Sequence, residues 1–195
     1  MNLNTIFFIG PQGSGKGTQA KMLAKRLDFF YWEMGGILRE VAAGNSILGI
    51  KIKSLIDSGV LLTDEDLYQV VQMKLGELPA TKGVIFDGIP RRIGQAEFLL
   101  SFLKQQGREN FITLYISLPK EQSVARLLKR GEIEKRADDT KEKIEFRLEQ
   151  YEKDTLPVLD FLRQNSTFFE IDGQPDIEIV RENIYKDLGL DQPRK

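Results

Sequence analysis

The sequence predicts an α/β fold: a three-layer sandwich in which a five-stranded parallel sheet carries helices on both faces. Three observations predict it. Short apolar runs alternate with longer amphipathic stretches along all 195 residues, the pattern of βαβ units. The runs Val84-Ile85-Phe86 and Leu114-Tyr115-Ile116 are apolar throughout, as strands covered on both faces must be. A glycine-rich loop joins the first run to the first helix, and in such a sheet ligands bind beyond the strand C-termini.

The apolar stretch Ile6-Phe7-Phe8-Ile9 makes residues 5–10 the first strand. Residues 10–18, Gly-Pro-Gln-Gly-Ser-Gly-Lys-Gly-Thr, read as a phosphate-binding loop. Gly10, Gly13 and Gly15 lack a Cβ, so backbone N–H groups can curl round an anion. A helix over 16–27 follows, with Ala20, Leu23, Ala24 and Leu27 on one face, and its positive dipole end points at the phosphates. Lys16 reaches the β- and γ-phosphates as a point charge. The hydroxyl expected directly after that lysine is absent: Gly17 stands there, and Thr18 follows.

A second strand at 29–32 precedes helices at 36–43 and 48–58. Thr63 is a suitable N-cap for a helix over 64–75, with Asp64, Glu65 and Asp66 in its first turn. Strands at 83–86, 111–117 and 167–171 alternate with helices at 93–106, 120–129, 140–164 and 175–188. Pro175 suits the first helical position of the last. Two stretches exceed a minimal βαβ repeat, the helical insert at 33–62 and the short charged segment at 130–138. Both are candidates for mobile covers over a site. The tail after 190 is polar, and the chain has no internal repeat or low-complexity segment.

Composition narrows the chemistry. The length suits one domain, and 41% hydrophobic residues suffice for a sizeable core. A net charge of −1 argues against a general nucleic-acid partner. There is no cysteine, which excludes disulfides and thiolate metal sites and fits a reducing cytoplasm. There is no histidine, which excludes serine–histidine triads, histidine bases and histidine-held zinc. No apolar run is long enough to span a membrane, and the N-terminus reads as a core strand rather than a signal peptide.

What remains is Lys, Arg, Asp, Glu, hydroxyls and a bound metal. Asp87 ends a strand near the phosphate loop, where a carboxylate can hold Mg²⁺ through water. Arg39, Arg91, Arg126, Arg130, Arg136 and Arg147 supply guanidinium groups that match paired phosphate oxygens. Arg126 and Arg130 share a helix face, and a salt-bridged surface pair with Glu121 or Glu132 is an alternative. Phosphoryl transfer asks for little besides positioning and positive charge.

The segment 10–19 resembles the phosphate loop of adenylate kinases and their nucleoside monophosphate kinase relatives, P-loop NTPases whose variant places Gly-Thr after the lysine. Asp87-Gly88-Ile89-Pro90-Arg91 with Gln95-Ala96, then Leu127-Leu128-Lys129-Arg130-Gly131, then Arg136-Ala137-Asp138-Asp139 and Arg147-Leu148 resemble that family's later motifs. The resemblance spans about residues 4–188. It implies one kinase domain with a core at 1–32, 63–129 and 139–195, an acceptor-binding insert at 33–62 and a short lid at 130–138. It implies transfer of the γ-phosphoryl of Mg·ATP to a nucleoside monophosphate, AMP first.

The same resemblance assigns residues. Lys16, Arg91, Arg130, Arg136 and Arg147 are the catalytic set. Gly13, Ser14, Gly15, Lys16, Gly17, Thr18, Arg126, Arg130 and Gln174, with the turn from Gly173, bind ATP. Met34, Gly35, Arg39, Val60, Leu61, Leu62, Gly88, Arg91, Gln95, Arg136 and Arg147 bind the acceptor, with Gln95 reading its base. Asp87 orients Mg²⁺ through water. The lid has neither the length nor the cysteines for zinc. Composition, charge and hydropathy point to a cytoplasmic protein without nucleic-acid or membrane partners, and a monomer is the default expectation because nothing marks an extended apolar surface.

Departures cluster on the acceptor side. Where the family opens this domain with Ser-Thr-Gly-Asp, this chain reads Glu33-Met34-Gly35-Gly36. Met34 replaces a base-reading hydroxyl with a poor hydrogen-bonding group, and Gly36 replaces the aspartate. Arg92 follows the motif arginine where a small polar residue is common; it adds charge near the acceptor or faces solvent. The alternatives these departures raise are a UMP, CMP or other monophosphate acceptor and, in another class, a nucleotide-binding sensor with weak turnover.

Overall fold

The computed structural model describes residues 3–58, 62–79, 81–135 and 139–191. Five strands lie in the order β2-β3-β1-β4-β5, all parallel. They are β1 (Thr5–Ile9), β2 (Phe30–Glu33), β3 (Val84–Asp87), β4 (Phe111–Ser117) and β5 (Thr167–Asp172). The helices are α1 (Lys16–Leu27), α2 (Met34–Ala43), α3 (Ile47–Ser58), α4 (Asp64–Gly76), α5 (Ile93–Gln105), α6 (Lys120–Glu134), α7 (Lys141–Gln150), α8 (Leu156–Asn165) and α9 (Ile177–Asp187).

β1 is buried along its whole length, and its alternating side chains divide the core in two. Phe7 and Ile9 point into a cluster with Trp32, Phe86, Val70, Leu99 and Leu162, so α4, α5 and α8 cover that face. Ile6 and Phe8 point the other way, to Leu23 on α1 and Val180 and Ile184 on α9. The five-stranded parallel sheet covered on both faces is therefore as the sequence predicts. Rings stack across the strands, Phe7 on Phe86 at 5.3 Å between centroids and Trp32 beside Phe86 at 5.4 Å. Met34, Ile37, Val41 and Ile52 join the first cluster, which anchors α2 and α3 to the sheet edge.

Several boundaries differ from expectation, each for a local reason. β2 runs one residue later, and α2 starts directly after it, because Glu33 keeps extended backbone (φ −98°) and serves as the N-cap residue. The Thr63 cap is present: its Oγ1 accepts the N–H of Asp66. α6 continues through Glu134 and closes on Lys135 in left-handed backbone (φ 52°), so the first five residues of the segment expected as a lid are helical. Pro175 lies outside α9, whose N-cap is Asp176. The single helix expected over 140–164 is three pieces: α7, a π-helical turn at Tyr151–Thr155, and α8. Pro157 has no N–H to give and its ring crowds the preceding turn, so it sits at the start of α8 behind the widened turn.

Candidate active site

The parallel register sets the catalytic edge. Phe8 and Glu33 both pair with Asp87, so the ends of β1, β2 and β3 lie side by side at the C-terminal edge of the sheet. The chain leaves β1 into the loop at 10–15 and enters α1 at Lys16. Gly13 (φ 83°) and Gly15 (φ 87°) hold left-handed backbone, which a side chain would strain. Ser14 is buried and its hydroxyl finds no hydrogen-bond partner, as expected of a group that faces an anion. Thr18 stands exposed on the first turn of α1.

Lys16 folds back and donates to the Pro11 carbonyl at 3.2 Å. Burial of its ammonium is the largest cause of a pKa lowered to about 8; Asp87 opposes the shift, and Arg91, Arg130 and Arg147 add to it. Those four groups therefore share one electrostatic neighbourhood with the loop lysine. Arg91 is held by Nε donating to the Gly88 carbonyl at 2.9 Å, and Thr155 on the π-helical turn donates to the Arg91 carbonyl.

Asp87 is buried, and its Oδ2 accepts from the Tyr31 hydroxyl at 2.8 Å. Burial, then that carboxylate, pushes the Tyr31 pKa far up, so the phenol stays a donor. A Cβ on residue 17 would come to 3.1 Å of Asp87 Oδ2 and 3.7 Å of the Tyr31 hydroxyl. This close approach gives Gly17 a steric reason. One carboxylate at the loop mouth fits a Mg²⁺ that keeps its waters and rests on nucleotide phosphates. Among the described residues no group of three or more His, Cys, Asp or Glu side chains could hold a metal alone.

Asp139 was not singled out from the sequence, yet it organises the arginines. Its carboxylate is fully buried, receives Arg130 through Nε and Nη2 at 2.7 and 2.9 Å, and receives Arg147 at 2.6 Å. The Arg130 hydrogen bonds are the largest cause of an Asp139 pKa held down to about 2, against the opposing effect of burial and with help from Arg147. Arg126 donates to the carbonyls of Gly173 and Gln174, both at 2.9 Å, rather than to Glu121 or Glu132. Gly173 packs so tightly that a Cβ there would meet the Ser117 carbonyl at 2.8 Å and the Ser14 carbonyl at 3.1 Å. The turn after β5 thus rests on the phosphate loop, with Arg126 clamping it.

Beside this cluster lies a cavity of about 420 Å³. Met34, Gly35 and Leu38 from α2, Leu62 before α4, Gly88, Arg91, Arg92 and Gln95 from the turn after β3 and the start of α5, and Phe146, Arg147 and Gln150 from α7 all line it. Gln95 is tied at both ends of its amide: Oε1 accepts the Arg91 N–H, and Nε2 donates to Asp64, each at 2.9 Å. Arg92 pairs with the same Asp64 oxygen at 2.9 Å. Met34 turns its sulfur to the Trp32 indole N–H at 3.4 Å. Arg39 is outside the cavity lining and sits 3.6 Å from Glu33, whose carboxylate would meet a Cβ on Gly35 or Gly36 at 3.1–3.2 Å. A carboxylate therefore stands over Gly36, supplied from three residues earlier. Val60, Leu61 and Arg136 lie outside the described residues.

Tyr31, Glu33, Asp64 and Phe146 are site residues that sequence reasoning missed, and Asp139 was quoted within a motif without a role of its own. The signal for Asp139 was its place at the end of the motif that starts at Arg136, directly before the Thr140 helix cap.

Residues 8–167 match the family model described as adenylate kinase. Adenylate kinase 1 of Nostoc sp. is 37% identical over 187 residues, 96% of this chain and all of that protein. An adenylate kinase of Cyanothece sp. is 39% identical over 178 residues, 91% of each chain. One from Thermus thermophilus is 34% identical over 185 residues, 95% of this chain and 97% of its own. With this match over most of the chain, added to a phosphate loop, an arginine cluster and an adjoining cavity, the chain belongs to the adenylate kinase family of phosphotransferases.

Proposed function

We propose that the chain transfers the γ-phosphoryl group of Mg·ATP directly to AMP, giving two ADP, with no covalent intermediate. The observation that carries this is the convergence of Lys16, Arg91, Arg130 and Arg147 at the loop mouth, with Arg91 and Arg147 also lining the adjoining cavity. Two nucleotides are thereby seated on either side of one patch of fixed positive charge. The charge of a transferring phosphoryl spreads over its non-bridging oxygens, so cations held in place stabilise it as it forms.

The loop amides at Gly13, Ser14, Gly15, Gly17 and Thr18 hold the donor phosphates, and Lys16 leaves the Pro11 carbonyl for the β- and γ-oxygens. Arg126 and the turn at Gly173-Gln174 flank the donor base. Arg91, with Arg39 released from Glu33, grips the acceptor phosphate. Arg130, Arg147 and Arg136 surround the group in flight. The cavity between Met34, Leu62 and Gln95 takes the acceptor base, with Val60 and Leu61 adding backbone. Asp87, steadied by Tyr31, would hold Mg²⁺ through water, and the metal would supply charge neutralisation for the phosphates.

Residues 33–62 act as the acceptor-side cover and 130–138 as a short lid over the core. Their closure excludes water and so prevents hydrolysis of ATP. No helix among the described residues is long and apolar enough to cross a membrane. The near-neutral charge supports a protein without a nucleic-acid partner, and the absent cysteine fits a reducing cytoplasm.

ATP labelled in its γ-phosphate, incubated with AMP and Mg²⁺, tests the transfer. The label is expected in the β-position of ADP formed from AMP. Label recovered only in ATP or as inorganic phosphate would overturn the proposal.

A further inference from the structure

α7 is a charged helix with an apolar seam at Ile144 and Leu148, both buried. Phe146 lies two residues from each, about 200° round the helix at 100° per residue, and so belongs to the opposite face. It is 60% exposed. A single exposed aromatic is ordinary on its own, but this one lines the cavity beside Arg147. Asp139 pins Arg147, which sets the position of α7 against the site. The same cavity is lined by Met34 and Leu38 of α2 and by Leu62. With its sulfur turned to Trp32, Met34 offers the cavity an apolar side chain. The polar end is Gln95, whose amide keeps one N–H and one acceptor lone pair after its bonds to Arg91 and Asp64.

Apolar side chains brought to one cavity from separate elements, with one polar amide among them, suit a nucleobase. We infer that Phe146 is a binding residue for the acceptor base: its ring stacks on one face of the base, Met34 and Leu38 cover the other, and Gln95 meets the edge. This rests on the cavity being the acceptor site. It also gives an account of how a site with Met34 in place of a hydroxyl keeps its grip. Stacking on an exposed ring substitutes for the lost hydrogen bond, and it favours the larger face of a purine over a pyrimidine.

Three proteins test it: wild type, Phe146→Ala and Phe146→Trp. Removing the ring is expected to raise the KM for AMP about five- to tenfold, the low end of base-stacking effects, while the KM for ATP and the thermal midpoint stay put. Phe146→Trp should keep the AMP KM within about twofold, and its fluorescence should be quenched by AMP without ATP. The native Trp32, the chain's one tryptophan, is fully buried, so wild type supplies the background. An unchanged AMP KM in a folded Phe146→Ala protein, or no quenching in Phe146→Trp, overturns the inference and leaves phosphoryl transfer intact. A wild type that phosphorylates no monophosphate overturns the transfer proposal instead, and the fluorescence titration then still decides whether residue 146 meets a base.

Discussion

At Lys16, charge and solvation oppose each other. The ammonium sits among three arginines with a pKa near 8, and a bound triphosphate would raise it again. The sign follows from linkage. The protonated form binds phosphate, so affinity for a non-hydrolysable ATP analogue is full below about pH 8 and falls as pH rises above it. Titration calorimetry across pH 7–10 should show that limb in wild type and its loss in Lys16→Ala. The same variant should lose about 3 kcal/mol of transition-state stabilisation, roughly a hundredfold in kcat/KM; near-wild-type activity would refute the role of the charge. Asp64 offers a second test. It steadies the Gln95 amide and is itself paired with Arg92, so Asp64→Ala should free that amide and cut the preference for AMP over CMP about tenfold. The places of Lys16 and Asp87 were legible in the sequence because they are set locally: a lysine after a glycine loop, a carboxylate ending a strand. Tyr31 was not. It reads as an ordinary strand aromatic, and its partner Asp87 lies 56 residues away.

At the scale of elements, the arginines depend on a helix start. Asp139 precedes the Thr140 cap of α7 and takes Arg130 from α6 and Arg147 from α7 into one carboxylate. Asp139→Ala leaves two guanidinium groups without that partner. It should cost about 3 kcal/mol of stability, the lower end for breaking a buried pair because both arginines keep some solvent. Chemical denaturation should show this, together with a fall in kcat as Arg130 and Arg147 lose their orientation. An Asp139→Ala protein as stable and active as wild type would remove the clamp from the account. With a folded pKa near 2 against a usual 3.8, the carboxylate contributes its stability above about pH 4 and loses it as pH falls toward 2. Element type was largely readable from apolar periodicity. The break in the helix expected at 140–164 was overlooked despite Pro157, and α6 ran past its expected end because helical propensity through Glu132 and Glu134 outlasts the motif at Gly131.

At the scale of the whole molecule, the parallel sheet brings the loop, Asp87 and the Gly173 turn to one edge, and the helices beyond it hold the cations above. That edge was predictable from the alternation of strands and helices, which implies a parallel sheet with ligands beyond its strand C-termini. The shape of the acceptor cavity was not, since it depends on which way Met34, Gln95 and Phe146 turn in the folded chain. The donor side accordingly follows the motif closely, while the acceptor side carries this chain's own solution. The most direct measurement is the steady-state kcat/KM for AMP, GMP, CMP and UMP at saturating Mg·ATP. The account predicts transfer to AMP with the highest kcat/KM of the four; transfer to none of them, or a higher value for CMP or UMP, would contradict it.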